Sequence, residues 1–356
     1  LEAYSLYWLG RSEYERNQFD NALDIFKKFQ KHSERNSVLS NTRLSYDIAY
    51  IYFKLGEYAF ALKFFKEFNA VNSSFNQSYQ RDTFLRMGDC EFALKQYWSA
   101  MEFYNTAIAL NSEQGAYAMY QKGISYGFVD RNLKKIETLL QLTQTYLKDP
   151  LLDDALFELA SSYSRESNTI KAIETYDLLL SNYKNSPYIP RAGLNKGLIL
   201  YNKEQYVEAK TILEDIAIKY RRDPVAQQAV RTLREIAVDQ AEVSAFAQWV
   251  KTQNLNTFSD IELEKTAFTS AEKQFLDGNT NTAEKLLKEY IETYPQGVFG
   301  NPAGFYLAEI YFEKATVIYK KLNFLEAIEL INLQKAIIKK EKGKFSKIFF
   351  LLVYYK

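Results

Sequence analysis

The sequence predicts an all-α solenoid of stacked antiparallel helix pairs, and three observations carry that expectation. First, a triplet recurs six times along the 356 residues: a small residue, an alanine twelve positions later, and a large apolar residue four positions beyond that. Second, short segments of the kind that start helices recur at a fixed interval between the triplets. Third, glycine and proline are scarce, 13 and 6 residues, together about 5% of the chain against roughly 12% in average usage. That scarcity disfavours a turn-rich all-β fold and low-complexity disorder, while an apolar share of 47% supplies a large core.

Gly10, Ala22 and Phe26 open the series of triplets, followed by Ala49, Ala61 and Phe65, and then by Gly88, Ala100 and Tyr104. Ala160, Ala172 and Tyr176, then Gly197, Ala209 and Leu213, and last Ala271, Ala283 and Leu287 complete it. The alanines step by 39, 39, 72, 37 and 74 residues. Each long interval is close to two repeats and so hides a degenerate unit, near residues 117–145 and 225–255. In the first, Gly123 and Tyr126 open a helix, and Ile136 with Leu140 take the later places. In the second, Phe246 and Val250 fall in register, but Arg234 stands where the small residue belongs. Residues 225–250 are therefore expected to form a helical hairpin whose crossing Arg234 either wedges apart or leaves for solvent.

The small positions have a physical reason. Two helices cross closely only where no bulky substituent intervenes, and large residues then fill the holes beside the crossing. Within each unit the spacing is helical: Leu156, Phe157, Leu159, Ala160 and Tyr163 recur at intervals of three and four, as do Ala172, Ile173, Tyr176, Leu179 and Leu180. Leu55-Gly56-Glu57 and Asp277-Gly278-Asn279 are the expected turns between the helices of a pair. The segments YLKDP (146–150), YKNSP (183–187) and YRRDP (220–224) lie 37 residues apart, and Asp or Ser before Pro is a helix start. A single pair would leave an apolar face bare, so pairs stack.

Composition narrows function. With 45 basic and 44 acidic residues the formal net charge is +1, which argues against a nucleic-acid partner, since such proteins carry a basic excess. One His and one Cys remove most metal sites, His-dependent catalysis and any internal disulfide. No metal, cofactor or catalytic residue is expected. Gly123-Ile124-Ser125-Tyr126-Gly127 matches the nucleophile elbow in letters, but that chemistry needs a strand before the serine and a histidine base. Ser125 is expected inside a helix, with the two glycines serving packing. Asp153 and Asp154, with Glu158 nearby, fit the first turn of a helix, where the dipole favours acids. Cys90, beside Gly88, is expected to be a small packing residue. Lys339, Lys340, Lys342, Lys344 and Lys347 make a basic run beside the apolar stretch Ile348–Tyr355, which is too short to span a bilayer. The chain opens LEAYSLYWLG, without an initiator Met or the layout of a signal peptide, and is expected to be a processed or truncated piece of a longer protein.

Together these residues make the chain resemble the tetratricopeptide repeat family. The small–Ala–aromatic triplets carry the resemblance, with Tyr52, Tyr126 and Tyr163 three residues after their small positions and prolines at the unit boundaries. It covers roughly residues 3–315, and it weakens after Phe312, where Lys320 stands in place of an alanine. The resemblance implies a right-handed superhelical solenoid of about eight repeats over residues 1–315, followed by an irregular C-terminal helical unit over 316–356. YKNSPY and YPQGVFGNPAGFYLAEIYF are similar, more narrowly, to long multi-repeat proteins of the bacterial cell envelope, of the outer-membrane assembly and Tol-Pal-associated type. That likeness implies a periplasmic or outer-membrane-associated location.

In this family the first helix of each pair lines a concave groove where protein or peptide partners dock. Carried over, Tyr46, Tyr50, Phe53 and Lys54 would face the groove in the second unit; Leu85, Asp89 and Phe92 in the third; Tyr120, Ile124 and Phe128 in the fourth; Phe157, Ser161 and Arg165 in the fifth. Tyr46 and Tyr50 stand where chaperone-binding members place the first Lys and Asn of a carboxylate clamp, so that function is not implied. Aromatic rings here either form a docking stripe (Tyr46, Tyr50, Phe92, Tyr120 and Phe157) or pack between neighbouring units. The expected function is a non-catalytic protein-interaction scaffold that binds a protein or peptide. The alternative is a subunit that rigidly bridges other parts of an envelope machine.

Overall fold

A computed structural model describes residues 2–32, 41–71, 77–110, 114–255, 258–320 and 324–340. Among them the chain forms eighteen helices and no strand, so the fold is all-α, as the sequence predicts. It divides into two compact units, Leu1–Ile189 and Pro190–Lys356.

The first unit holds five antiparallel pairs: α1 (Glu2–Glu15) with α2 (Phe19–Lys31), α3 (Asn41–Lys54) with α4 (Tyr58–Val71), α5 (Gln77–Ala93) with α6 (Tyr97–Ala109), α7 (Gly115–Phe128) with α8 (Asn132–Thr145), and α9 (Leu152–Arg165) with α10 (Thr169–Asn182). Each second helix also packs on the first helix of the next pair. The second unit begins with α11 (Ile189–Asn202), which pairs with α12 (Tyr206–Lys219). It continues through α13 (Pro224–Asp239) with α14 (Val243–Thr252), α15 (Asp260–Leu276) with α16 (Thr280–Thr293), and α17 (Gly300–Lys320) with α18 (Phe324–Lys340). α17 runs through residue 315, and residues 341–356, which hold the end of the basic run and the apolar stretch, lie outside the described residues.

One turn chemistry closes the first eight pairs. Asn17, Gly56, Lys95, Asp130, Ser167, Glu204, Ala241 and Gly278 all have positive φ, between 56° and 78°. In every case the next residue's amide reaches back over the helix end, as in Gln18 to the Glu13 carbonyl at 2.9 Å, Gln96 to Glu91 at 2.8 Å and Asn168 to Tyr163 at 2.9 Å. This is the Schellman arrangement, which satisfies carbonyls left open at a helix C-terminus. Glycine occupies only two of the eight turns, so at six a side chain tolerates the left-handed region, at roughly 1–2 kcal/mol each, in exchange for those bonds.

The turns also fix register, because the small position always lies seven residues before the left-handed one. A Cβ on Gly10 would come within 2.7 Å of the Phe26 ring, on Gly88 within 2.5 Å of Tyr104, and on Gly197 within 2.6 Å of Leu213. The small residue of each first helix is thus seated against the large residue of its second helix. In the degenerate fourth pair the same rule corrects the sequence reading by one residue. Asp130 places Lys135 and Leu139, not Ile136 and Leu140, at the two later positions, and Leu139 is the buried side chain facing Gly123, 2.9 Å from where a Cβ would stand.

The seventh pair forms as expected without its small residue. Arg234 does not sit at the crossing: its guanidinium binds Glu235 at 2.6 Å and lies 5.1 Å over the Phe258 ring. Phe246 is buried where other units have alanine, and α14 is ten residues long, about a turn shorter than the other second helices, from α2 to α16.

The recurrent boundary segments share one geometry too. Tyr146, Tyr183, Tyr220 and Tyr294 end second helices, and their carbonyls accept from Asp149, Ser186, Asp223 and Gly297 in a tight turn at 2.8–3.1 Å. Asp149, Ser186 and Asp223 then each accept with the side chain from the amide two residues on. Only Asp223 directly precedes its helix. After the other two the helix begins two residues past the proline, later than the sequence suggests.

The crossing contact is testable. Ala172 is fully buried in α10, and Ala172→Trp is expected to cost about 1–3 kcal/mol or more by overpacking. Glu174→Trp, on the exposed side of the same helix, should change stability by less than about 0.5 kcal/mol. Equal urea midpoints for the two variants would refute the register.

Candidate interaction surface on the first helices

The first helices of the first unit carry the candidate site, and their polar residues organise it. Tyr46 and Tyr50 lie one turn apart on α3, with ring centroids 5.0 Å apart, and both hydroxyls donate to Asp82 on α5, Tyr46 at 2.7 Å. Arg86, one turn on from Asp82, donates to the Tyr50 hydroxyl at 3.2 Å and to Asp89 at 2.6 Å, and reaches Gln114 at 3.1 Å. Asp89 also accepts from Tyr104 on α6 and Tyr117 on α7, both at 3.0 Å. One continuous network therefore joins the second, third and fourth pairs.

A similar knot joins the first two pairs. Buried Asp47 on α3 accepts from Tyr7 at 3.0 Å and Arg11 at 3.1 Å on α1, with Arg43 3.6 Å away. Burial raises the Asp47 and Asp89 carboxyls, while the neighbouring arginines and tyrosine hydroxyls oppose that rise. Burial together with the adjacent carboxylates pushes the Tyr7 and Tyr117 phenols up to about 12. Tyr46 and Tyr50 are pushed further in the same direction, by burial first and then by each other and Asp82 for Tyr46, and by Asp82 for Tyr50. These hydroxyls stay protonated donors across physiological pH. The groove carries more charge than its aromatic letters suggest, and Asp47, Asp82, Asp89, Arg11 and Arg86 hold theirs in ion pairs.

The expected groove residues divide into two groups. Tyr46, Tyr50, Phe53, Phe92 and Tyr120 are half-buried, with part of each ring open. Phe53 meets Tyr58 edge-on at 5.6 Å and lies under Arg86, and Phe92 meets Tyr97 and the exposed Phe128, which stack on each other at 4.7 Å. Phe157 departs from expectation. It is 8% exposed, its ring stacked on Tyr188 at 4.8 Å while the Tyr188 hydroxyl donates to Asp154 at 2.6 Å, so packing inside the solenoid consumes it. Leu85 and Asp89 are likewise buried. Lys54 and Arg165 are exposed, and Ile124 and Ser161 half-buried. Between α1 and α3 a cleft of about 220 Å³ opens onto Arg11, Tyr14, Arg43, Tyr46, Asp47 and Tyr50.

Sequence reading missed Asp47, Asp82, Arg86 and Arg43 as parts of this surface. Their signal was available: charged residues one turn apart on first helices, with tyrosines about one repeat away. A second surface was also passed over. Trp98, Leu133 and Ile170, each the third residue after a left-handed turn, are 56%, 69% and 64% exposed on the first turns of α6, α8 and α10. Ser125 lies within α7, buried, its hydroxyl donating to the Gln121 carbonyl at 2.7 Å, so the geometry of a nucleophile elbow is not there. Asp153 and Asp154 do occupy the first turn of α9, and Cys90 is buried, its thiol pushed up to about 12 chiefly by burial.

Asp89 is the hub of the network, and its removal is measurable. Asp89→Ala leaves Arg86, Tyr104 and Tyr117 without their shared acceptor, and stability is expected to fall by about 3 kcal/mol. Asp20→Ala, at an exposed position in α2, serves as the reference in urea unfolding and should cost less than about 1 kcal/mol.

Known proteins resemble this chain in sequence profile and in structure. The tetratricopeptide repeat family profile matches residues 4–33 and 154–186, the pairs α1–α2 and α9–α10. No curated protein sequence matches the chain. The apo form of RapI is similar in structure over 97% of this chain and 100% of its own, at 14% identity and a TM-score of 0.50. The C-terminal part of a tetratricopeptide repeat-containing protein from Cytophaga hutchinsonii matches over 83% and 98% at 14% identity, with a TM-score of 0.46. The apo quorum sensor NprR from B. thuringiensis matches over 94% and 98% at 14% identity, with a TM-score of 0.42. At such identities the RapI likeness bears on fold alone. Residues 4–33 and 154–186 match the tetratricopeptide repeat model, and the chain folds as a helix-pair solenoid of that type.

Proposed function

We propose that the chain is a non-catalytic scaffold that holds a protein or peptide partner against the first helices of its second to fourth pairs. The observation that carries this reading is the set of half-exposed rings Tyr46, Tyr50, Phe53, Phe92 and Tyr120. Two of them are fixed by bonds to Asp82 before any partner arrives. Rings held in place lose little freedom on binding, and aromatic anchors commonly dominate interface energies. Because Asp82, Arg86 and Asp89 already pair with one another, the partner is held mainly by shape and apolar contact, with weak dependence on salt. Among the described residues no helix is long and apolar enough to cross a membrane.

A second reading is a bridging subunit of an envelope assembly. The exposed Trp98, Leu133 and Ile170 favour it, since they offer another contact surface on the second helices. The envelope location itself rests on the likeness of YKNSPY and YPQGVFGNPAGFYLAEIYF to envelope proteins.

Selection from a displayed random-peptide library tests the groove. Phe53→Ala combined with Tyr120→Ala should weaken selected peptides about tenfold or more, with helicity unchanged, while Trp98→Ala combined with Leu133→Ala leaves them bound. The reverse pattern would move docking to the second helices and favour the bridge. Fractionation of the source cells tests location: recovery in the cytoplasmic fraction overturns the envelope reading.

A further inference from the structure

The seventh pair departs from the packing pattern of the other units. In most second helices a large apolar residue stands nineteen positions after the small one, as Phe29, Phe68, Leu142, Leu179, Ile216 and Tyr290 do, all buried. In this pair that place belongs to Gln253, which lies in a turn because α14 has already ended at Thr252. On another face of the pair, Ala247 of α14 and Ala267 of α15 present small side chains to a separate space.

That space is a cleft of about 320 Å³ between α14, α15 and α16. Val243, Leu263 and Leu286 wall it together with the two alanines. Two charged side chains of opposite sign line it, beside the Tyr290 and Tyr294 rings. Glu289 is already engaged, accepting from Ser244 at 3.4 Å and lying 3.8 Å from Lys285. Lys251, at the exposed rim, pairs with no described side chain. The cleft therefore offers an apolar floor and one uncommitted positive charge, at the small end of the roughly 300–1,000 Å³ range of ligand pockets.

We propose that this cleft binds an aliphatic monocarboxylate, the chain lying on Val243, Ala247 and Leu263 and the carboxylate meeting the Lys251 ammonium. A neutral alcohol would bury the same chain without the ion pair. The site is distinct from the first-helix groove and stands or falls independently of it. Small side chains at Ala247 and Ala267 keep the space open.

Calorimetric titration of the whole chain with decanoate, below its micellar range, tests the proposal. Saturable one-to-one binding is expected, with decanol about three- to tenfold weaker, as one partly exposed ion pair allows. Lys251→Met should remove the preference for decanoate over decanol without changing helicity. Ala247→Phe, which fills the floor, should abolish binding of both. No saturable heat, an unchanged preference in Lys251→Met, or unchanged affinity in a folded Ala247→Phe variant each overturns the assignment. Acetyl-Leu-Leu carries the same head group on a peptide, and its binding in place of decanoate would show that the site reads a chain terminus and not an aliphatic acid.

Discussion

The contact between a small residue on each first helix and a large one on its second helix is the constraint from which the rest of the structure follows. At Gly10, Gly88, Gly123 and Gly197 a methyl group would stand 2.5–2.9 Å from the facing side chain, well inside van der Waals contact. Phe26, Tyr104, Leu139 and Leu213 are correspondingly buried to the last atom. Dispersion and apolar burial at such a site are strong because the two backbones come close enough for the large side chain to be surrounded. The crossing sets the angle of the pair and hence the face each pair offers to the next.

A second layer of structure depends on that geometry. With the pairs stacked, the first helices of successive pairs lie near enough for side chains about one repeat apart in sequence to meet. Asp47, Asp82 and Asp89 exploit this, each gathering tyrosine hydroxyls and arginine from two or more helices. Buried carboxylates of this kind add little net stability against an apolar alternative, but losing one partner strands the others. Their evident consequence is to fix ring orientation on the surface where a partner would dock. Part of the high aromatic content is explained here, because tyrosine can pack like phenylalanine and still donate to a neighbour's acid.

The seventh pair shows what happens when the crossing is given up. Arg234 cannot be seated against Val250, so it turns aside to Glu235 and Phe258. Phe246 takes the space that alanine leaves elsewhere, and α14 ends early. The turn chemistry survives intact, with Ala241 in the left-handed region and Glu242 bonded back to Ala237 at 2.8 Å. Backbone capping therefore holds the hairpin even where side-chain packing departs from the pattern.

Most of the fold was legible in the letters, because periodicity and residue size are local properties. Helix pairs, their turns at Gly56 and Gly278 and the hairpin over 225–250 all follow from spacing. The fourth pair was misread by one position, because Ile136 and Leu140 are as apolar as Leu139 and only the turn at Asp130 decides among them. The site was less legible. Nothing in the sequence separates Phe157, stacked under Tyr188, from Tyr120, half open, since both occupy the same repeat position. Nor does spacing reveal that Asp82 accepts from two tyrosines more than thirty residues away. Sequence by itself determined which residues are helical and which are small enough to let helices cross. Tertiary structure alone decided which rings remain open, because exposure is set by the neighbour that stacking brings and not by the residue that receives it.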